Sequence, residues 1–283
     1  MENMIEKLNL EDDFLFAKVM GDQEICRKVL EKILNIPIKE IIFSSNQRTI
    51  DLLLESKGIR LDIYVNDDKG TVYNCEMQRG RRKELPKRSR YYQGAIDLDL
   101  ISTGESYEKL KNSFVIFICT FDPFNEGLHL YTFVNRCKEN PILTLDDGTT
   151  KVFLNTKGKI EDVDSEMKEF LAYIENSTDE FASKAKSPLI KELHRRVTKI
   201  KQSKELEAEY MTLLQRDREN IELGLEQGLE QGLEQGLQQG LQQGEEKMAL
   251  LTKQLIKAKR FQDLERATED VAFRKQLFEE LEI

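Results

Sequence analysis

Tryptophan is absent from this 283-residue chain, histidine occurs twice and proline five times. Cysteine is scarce as well: Cys26, Cys75, Cys119 and Cys137. No two of them form a CxxC pair, and His129 and His194 lie far apart in sequence, which argues against a structural zinc site. Cys75 and Cys119 fall in apolar, strand-like runs and read as small buried hydrophobes. Reduced thiols in a cytoplasmic protein fit this pattern best. No window approaches the roughly 18–20 uninterrupted apolar residues that a membrane span needs. The opening MENMIEKLNLEDDF is acidic and lacks the apolar core of a secretory signal. Positive charge is not in excess either. There are 43 Lys and Arg against 52 Asp and Glu, a formal net charge of -9. Long-range attraction to DNA phosphates is therefore not available, and any nucleic-acid contact has to come from a local basic patch.

The chain does have the length for one sizeable core plus an appendage. Residues 12–35 show helical apolar spacing, with Phe16, Val19 and Met20 on one face and Ile25, Val29, Ile33 and Leu34 on another. Gly21-Asp22 reads as a break between two helices, and Pro37 ends the second. From about residue 40 the period changes. IKEIIFSS (38–45) is a candidate strand. GIRLDIYVNDD (58–68) alternates, with Leu61, Ile63 and Val65 on one face and Asp62 and Tyr64 on the other. A turn at Asp68-Lys69 leads into TVYNCEMQ (71–78). Here Tyr73, Cys75 and Met77 share one face, and Asn74, Glu76 and Gln78 share the other.

Residues 83–104 are expected to form a helix, starting near Pro86 and ending at Gly104. NSFVIFICTFDPF (112–124) is almost wholly apolar, as in a strand buried on both faces. LHLYTFVNRC (128–137) and TKVFLNTK (150–157) read as further strands. The order predicts a mixed α/β domain over 1–160. Beyond it the pattern is helical: a region at 161–222, a repeat at 223–245 and a last segment at 246–283.

In the repeat, glycine recurs every four residues from Gly224 to Gly244. As a helix it gives up on the order of 1 kcal/mol per glycine relative to alanine, so something has to offset the loss. Close approach of a second helix is the natural compensation. A period of four places the Gly/Leu stripe along an i±4n ridge, suited to a crossing of about -50°. The expected role is homo-oligomerisation through residues 224–244. The competing reading is a flexible low-complexity linker.

The two strands around the turn carry the candidate chemistry. A turn centred on Asp68-Lys69 sets Asp62 opposite Glu76 on one sheet face, with Cβ atoms about 4.5–5.5 Å apart. A slip of one residue would set Asp62 against Cys75 on the wrong face. Paired carboxylates repel unless a cation lies between them. Oxygen ligands of this kind suit Mg²⁺ or Mn²⁺. Gln78 points to the same side and has an amide with which to place a water or a phosphate oxygen. The plain alternative is a pair of exposed strand carboxylates. Directly after come seven basic residues, Arg79, Arg81, Arg82, Lys83, Lys87, Arg88 and Arg90, with one acid, Glu84. They read as contacts to DNA backbone, which carry no base specificity, with Tyr91 and Tyr92 as candidates for stacking on a base or packing on the sheet.

This ordered set resembles the PD-(D/E)XK nuclease superfamily. More narrowly it is similar to the recombination-promoting nuclease and transposase family. The residues that carry the likeness are the opening helix with Asp13, Phe16 and Lys18, then RLDIYV, YNCEMQ and RSRYYQG, in that family's order over about residues 5–160. The resemblance implies a restriction-endonuclease-like mixed sheet flanked by helices. It implies a Mg²⁺- or Mn²⁺-dependent DNA endonuclease of low sequence specificity, associated with recombination or mobile elements. Asp62 and Glu76 would be its metal ligands, Gln78 a third catalytic residue and Asp13 an outer-shell contact. Lysine is the superfamily's usual third residue. Glutamine at that position is an accepted variant in the narrower family, but it brings no positive charge. Lys83, Arg79 and Arg90 are candidates to supply one. The alternative is a catalytically weak nuclease fold that binds DNA or a partner and oligomerises through its repeat.

Overall fold

The computed structural model describes residues 4–43, 49–50, 59–60, 62–81 and 83–283. Two compact units divide the chain, Met1–Tyr210 and Met211–Ile283.

In the first unit, α1 (Asp13–Met20) and α2 (Gln23–Leu34) are separate helices, as the Gly21-Asp22 break predicts. Each starts on an aspartate. The Asp12 carboxylate accepts from the N–H groups of Phe14 and Leu15, and Asp22 accepts from that of Ile25. These acceptors satisfy first-turn donors that have no partner within the helix.

The sheet has six strands: β1 (Ile41–Phe43), β4 (Ile63–Asp67), β5 (Val72–Gln78), β6 (Ser113–Cys119), β7 (Leu130–Phe133) and β8 (Thr149–Asn155). Their spatial order is β1-β4-β5-β6-β8-β7. Strands β1, β4 and β5 pair antiparallel, β5, β6 and β8 are parallel, and β7 returns antiparallel to β8. A separate pair, β2 (Thr49–Ile50) with β3 (Ile59–Arg60), lies between β1 and β4 in sequence. The run at 58–68, read above as one strand, is thus two strands, with a bend at Asp62. Leu61 lies outside the described residues, as do Ser44 and Ser45 of the first candidate strand.

The β4–β5 turn is built on Asp67. Its Oδ1 accepts from Lys69 N and Thr71 N, and its Oδ2 accepts from the Tyr73 hydroxyl. Gly70 follows at φ 82°, which favours glycine. The register pairs Ile63 with Cys75 and Tyr64 with Asn74, the one that sets Asp62 across from Glu76.

Period-two alternation sends the two sides of the hairpin into different layers. Ile63, Val65, Tyr73, Cys75 and Met77 join a core with α1, α2, α4 (Ser165–Glu175) and α6 (Pro188–Lys201). Tyr64 and Val72 join a second core against α3 (Leu85–Leu100), with Tyr92, Ala95, Ile96, Val115, Phe117 and Phe153. Strand β6 is buried along nearly its whole length, as its apolar run predicts. The first core runs past residue 160, where the pattern changes from strands to helices. Phe170, Leu171, Ile190, Leu193 and Val197 belong to it.

Two helix ends differ from expectation. Helix α3 stops at Leu100 rather than Gly104, because Ile101 is extended at φ -129° and ψ 133°. A short helix, α5 (Asp179–Lys184), starts on a Thr178 cap. The charged stretch after Pro188 is not continuous either. It breaks at Gln202, and Ser203 accepts from Leu206 N at the start of α7 (Lys204–Lys257).

Within the second unit, α7 is helical through the whole Gly/Leu repeat. Leu251 and Leu255 near its end form a small cluster with α8 (Phe261–Glu269) and α9 (Val271–Glu280), through Ala267 and Leu277. Among the described residues, no helix is long and apolar enough to cross a membrane.

Candidate active site

The hairpin and α3 bring a small group of polar side chains together beside the second core. Glu76 is buried, with 1% of its surface exposed, in the middle of a strand with no exposed residue. Its Oε1 accepts from the backbone N–H of Asp62 at 3.1 Å. Asp62 Oδ2 in turn accepts from Met77 N at 3.3 Å. The two acidic residues are thus locked to each other's strand, and Asp62 is only partly buried rather than turned into the apolar interior. Asn74, fully buried on the same face, donates to Ile63 O and to Glu76 Oε1, both at 3.2 Å, in the amide orientation that satisfies it.

A carboxylate taken this far out of water resists ionisation. Burial first, and the charge of Asp62 second, push Glu76 up to about 8. The Asp62 N–H, the Arg88 guanidinium and Asn74 pull the other way. Nearby positive charge is therefore strongly favoured. Among the described residues, no group of three or more His, Cys, Asp or Glu side chains is placed to hold a metal ion by itself. The pair consequently offers two hard oxygen donors and not a complete cage. That suits Mg²⁺ or Mn²⁺, which are commonly held by one or two carboxylates while water and phosphate oxygens fill the remaining positions.

Gln78 closes the group. Its Nε2 donates to Met77 O at 2.7 Å, and its Oε1 accepts from Arg88 Nη1 at 3.2 Å. Arg88 also reaches Glu76 Oε2 with Nη2 at 3.3 Å, and donates from Nε to the Tyr92 hydroxyl at 2.6 Å. Its guanidinium lies over the rings of Tyr92 and Phe117, 5.0 and 5.9 Å from their centroids. In the sequence Arg88 reads as one of several DNA-backbone contacts, and Lys83, Arg79 and Arg90 as the candidates for a compensating charge. Arg88 is the one that faces the Glu76 carboxylate. Its spacing from Tyr92, four residues on, was the available signal, because Tyr92 packs on the sheet. Asn74 was missed as well, although it alternates with Glu76 on the same face.

The other basic residues lie outward. Arg79 pairs with Asp12 at 3.1 Å. Arg81 bonds the Asn125 side chain. Lys83, Lys87 and Arg90 are exposed, as is Tyr91 at 42%. Arg82 lies outside the described residues. Asp13 is exposed in the first turn of α1, while its neighbour Asp12 both caps that helix and reaches Arg79.

Among curated proteins and among solved structures, none matches this chain. The model of one family does, over residues 10–224, a span that contains the sheet, the Asp62/Glu76/Gln78 group and α3. The chain belongs to that family, described as PD-(D/E)XK nuclease family transposase.

Proposed function

We propose that the protein is a metal-dependent DNA endonuclease of low sequence specificity, acting in recombination or on mobile elements. One observation carries this reading. Two acidic residues, Asp62 at the bend before β4 and Glu76 on β5, are tied together across the hairpin: Asp62 N donates to the Glu76 carboxylate and Met77 N to that of Asp62. Asp62 and Glu76 would hold Mg²⁺ or Mn²⁺. When bound, such an ion lowers the pKa of a coordinated water and offsets charge developing at phosphorus. The chain's own contribution is to fix the two carboxylates on a rigid hairpin and keep the inner side of the site dry. Gln78, on the same face, has a second amide N–H with which to orient water or a phosphate oxygen. The exposed Arg79, Arg81, Lys83, Lys87 and Arg90, together with Tyr91, would track DNA backbone without reading sequence.

The test is nicking of a supercoiled plasmid with Mg²⁺, comparing wild type with Asp62→Ala. Activity in wild type that is lost in the variant and in EDTA is the expected result. Equal nicking by both proteins would eliminate the reading. The neutral Gln78 favours a second one, a nuclease fold that binds DNA and cuts poorly. That reading expects no metal-dependent nicking by wild type.

We also propose that a second copy of this chain is a partner, bound through residues 224–244. Leu225, Leu229, Leu233, Leu237 and Leu241 are 61–69% exposed, and a Cβ added at any of the six repeat glycines meets nothing within 4 Å. A row of glycines beside a row of exposed leucines suits close helix–helix approach.

A further inference from the structure

We propose that Arg88 is the cation that binds the substrate phosphate, supplied to this site by helix α3 rather than by the strand. The inference deepens the nuclease reading and rests on its placement of DNA at Asp62 and Glu76.

A phosphodiester brought to two carboxylates meets like charge. Strand β5 offers no relief, since Gln78 is neutral and its own oxygen already accepts from Arg88. Among the described residues, Arg88 is the basic side chain hydrogen-bonded to both Glu76 and Gln78.

Its setting is that of a built part. The guanidinium is fixed by Gln78 Oε1, Glu76 Oε2 and the Tyr92 hydroxyl, and it stacks over two aromatic rings. Those bonds use three of its five N–H donors. Two are left to reach an anionic oxygen. Its side chain is 26% exposed, against 1% for Glu76, so the group spans the distance from buried carboxylate to solvent. Little rotamer freedom is left to lose on binding, and a planar fork matches phosphate geometry better than a single ammonium does.

A purely structural role, balancing the charge of buried Glu76, is the competing account. The two accounts separate once position 76 is neutral. In the Glu76→Gln background without divalent metal, binding of a labelled DNA duplex is measured by fluorescence anisotropy across a series of NaCl concentrations. Adding Arg88→Gln should weaken binding by ~10-fold and lower the salt slope by about one phosphate. Balancing the Glu76 charge alone leaves both unchanged, because the acidic side chain that Arg88 pairs with is already neutral, and that result would overturn the proposal. Arg88→Lys keeps the charge and loses the fork. It serves as the folding-tolerant variant, and its affinity should fall between the two.

The second arm is single-turnover cleavage with Mg²⁺. Arg88→Gln should cost ~100-fold. Gln78→Lys added to it places an ammonium beside the space the guanidinium occupied, and should restore at least ~10-fold of that loss. No restoration, with the double variant folded, counts against a phosphate-binding charge. If wild type itself does not cleave, the nuclease reading fails, while the anisotropy arm still decides the role of Arg88.

Discussion

The backbone N–H of Asp62, at the bend before β4, donates to Glu76 Oε1 on β5 at 3.1 Å, across the turn that separates them. The bend at Asp62 makes this possible. It takes the residue out of the regular ladder, which ends at the Ile63–Cys75 pair, and frees its N–H to reach a side chain. The Glu76 carboxylate is thereby placed by the main chain of Asp62 itself.

That arrangement has a pH signature. The folded protein holds the Glu76 proton up to about 8, while an unfolded chain releases it near 4.5. Between those values the native state binds the extra proton. The contribution of this group is therefore full below the unfolded value and lost as pH rises through the folded one. Metal-free wild type should lose Tm from pH 5 to pH 8 more steeply than Glu76→Gln, measured in EDTA. Mg²⁺ should reverse the trend in wild type alone, because it binds the ionised pair. Identical slopes for the two proteins would refute the assignment.

Asn74 bridges Ile63 O and Glu76 with no solvent access. Asn74→Ala leaves both acceptors short of a donor and should cost ~1–3 kcal/mol in urea unfolding. Asn74→Asp should be worse, since it sets another carboxylate against Glu76. A variant as stable as wild type would show that the amide is not satisfying that pair.

Gly158 tests packing away from the site. A Cβ there would lie 2.3 Å from the His129 ring, and that ring is held by Asp162 through Nδ1 at 2.8 Å. The ring has nowhere easy to go, so Gly158→Ala should cost ~1–3 kcal/mol. Chemical denaturation reads this directly, and a neutral result would mean that the loop shifts freely.

For the repeat, Gly232→Ala with Gly236→Ala should raise helicity by circular dichroism, since each glycine disfavours a helix by ~1 kcal/mol relative to alanine and neither new methyl meets a neighbour. If a second copy packs on this ridge, the same change should weaken association by sedimentation. Unchanged mass in that experiment, and after deletion of residues 224–243, would dispose of the self-association proposal.

The hairpin was readable because three signals agree: alternation along both strands, a Gly70 turn, and a register that only one choice of face permits. The α1/α2 break was readable for a similar reason, with Gly21 followed by a capping Asp22. Arg88 was not. Its run of basic neighbours reads as a solvated patch, and only the three-dimensional path of α3 turns Arg88 inward while Lys87 and Arg90 face water. The bend at Asp62 was hidden too, because the alternation of Asp62, Ile63 and Tyr64 continues straight through it. At Gln202 the helical pattern persists on both sides, and a single capping serine is a weak mark of the break.

The position of the terminal helical cluster has a genetic corollary. Its apolar contacts come only from residues 248 onward, beyond the last glycine of the ridge. Each four-residue unit is a whole number of codons. Slippage during replication that adds or drops a unit therefore keeps the reading frame, lengthens or shortens the rod by ~6 Å, and leaves every contact of that cluster intact.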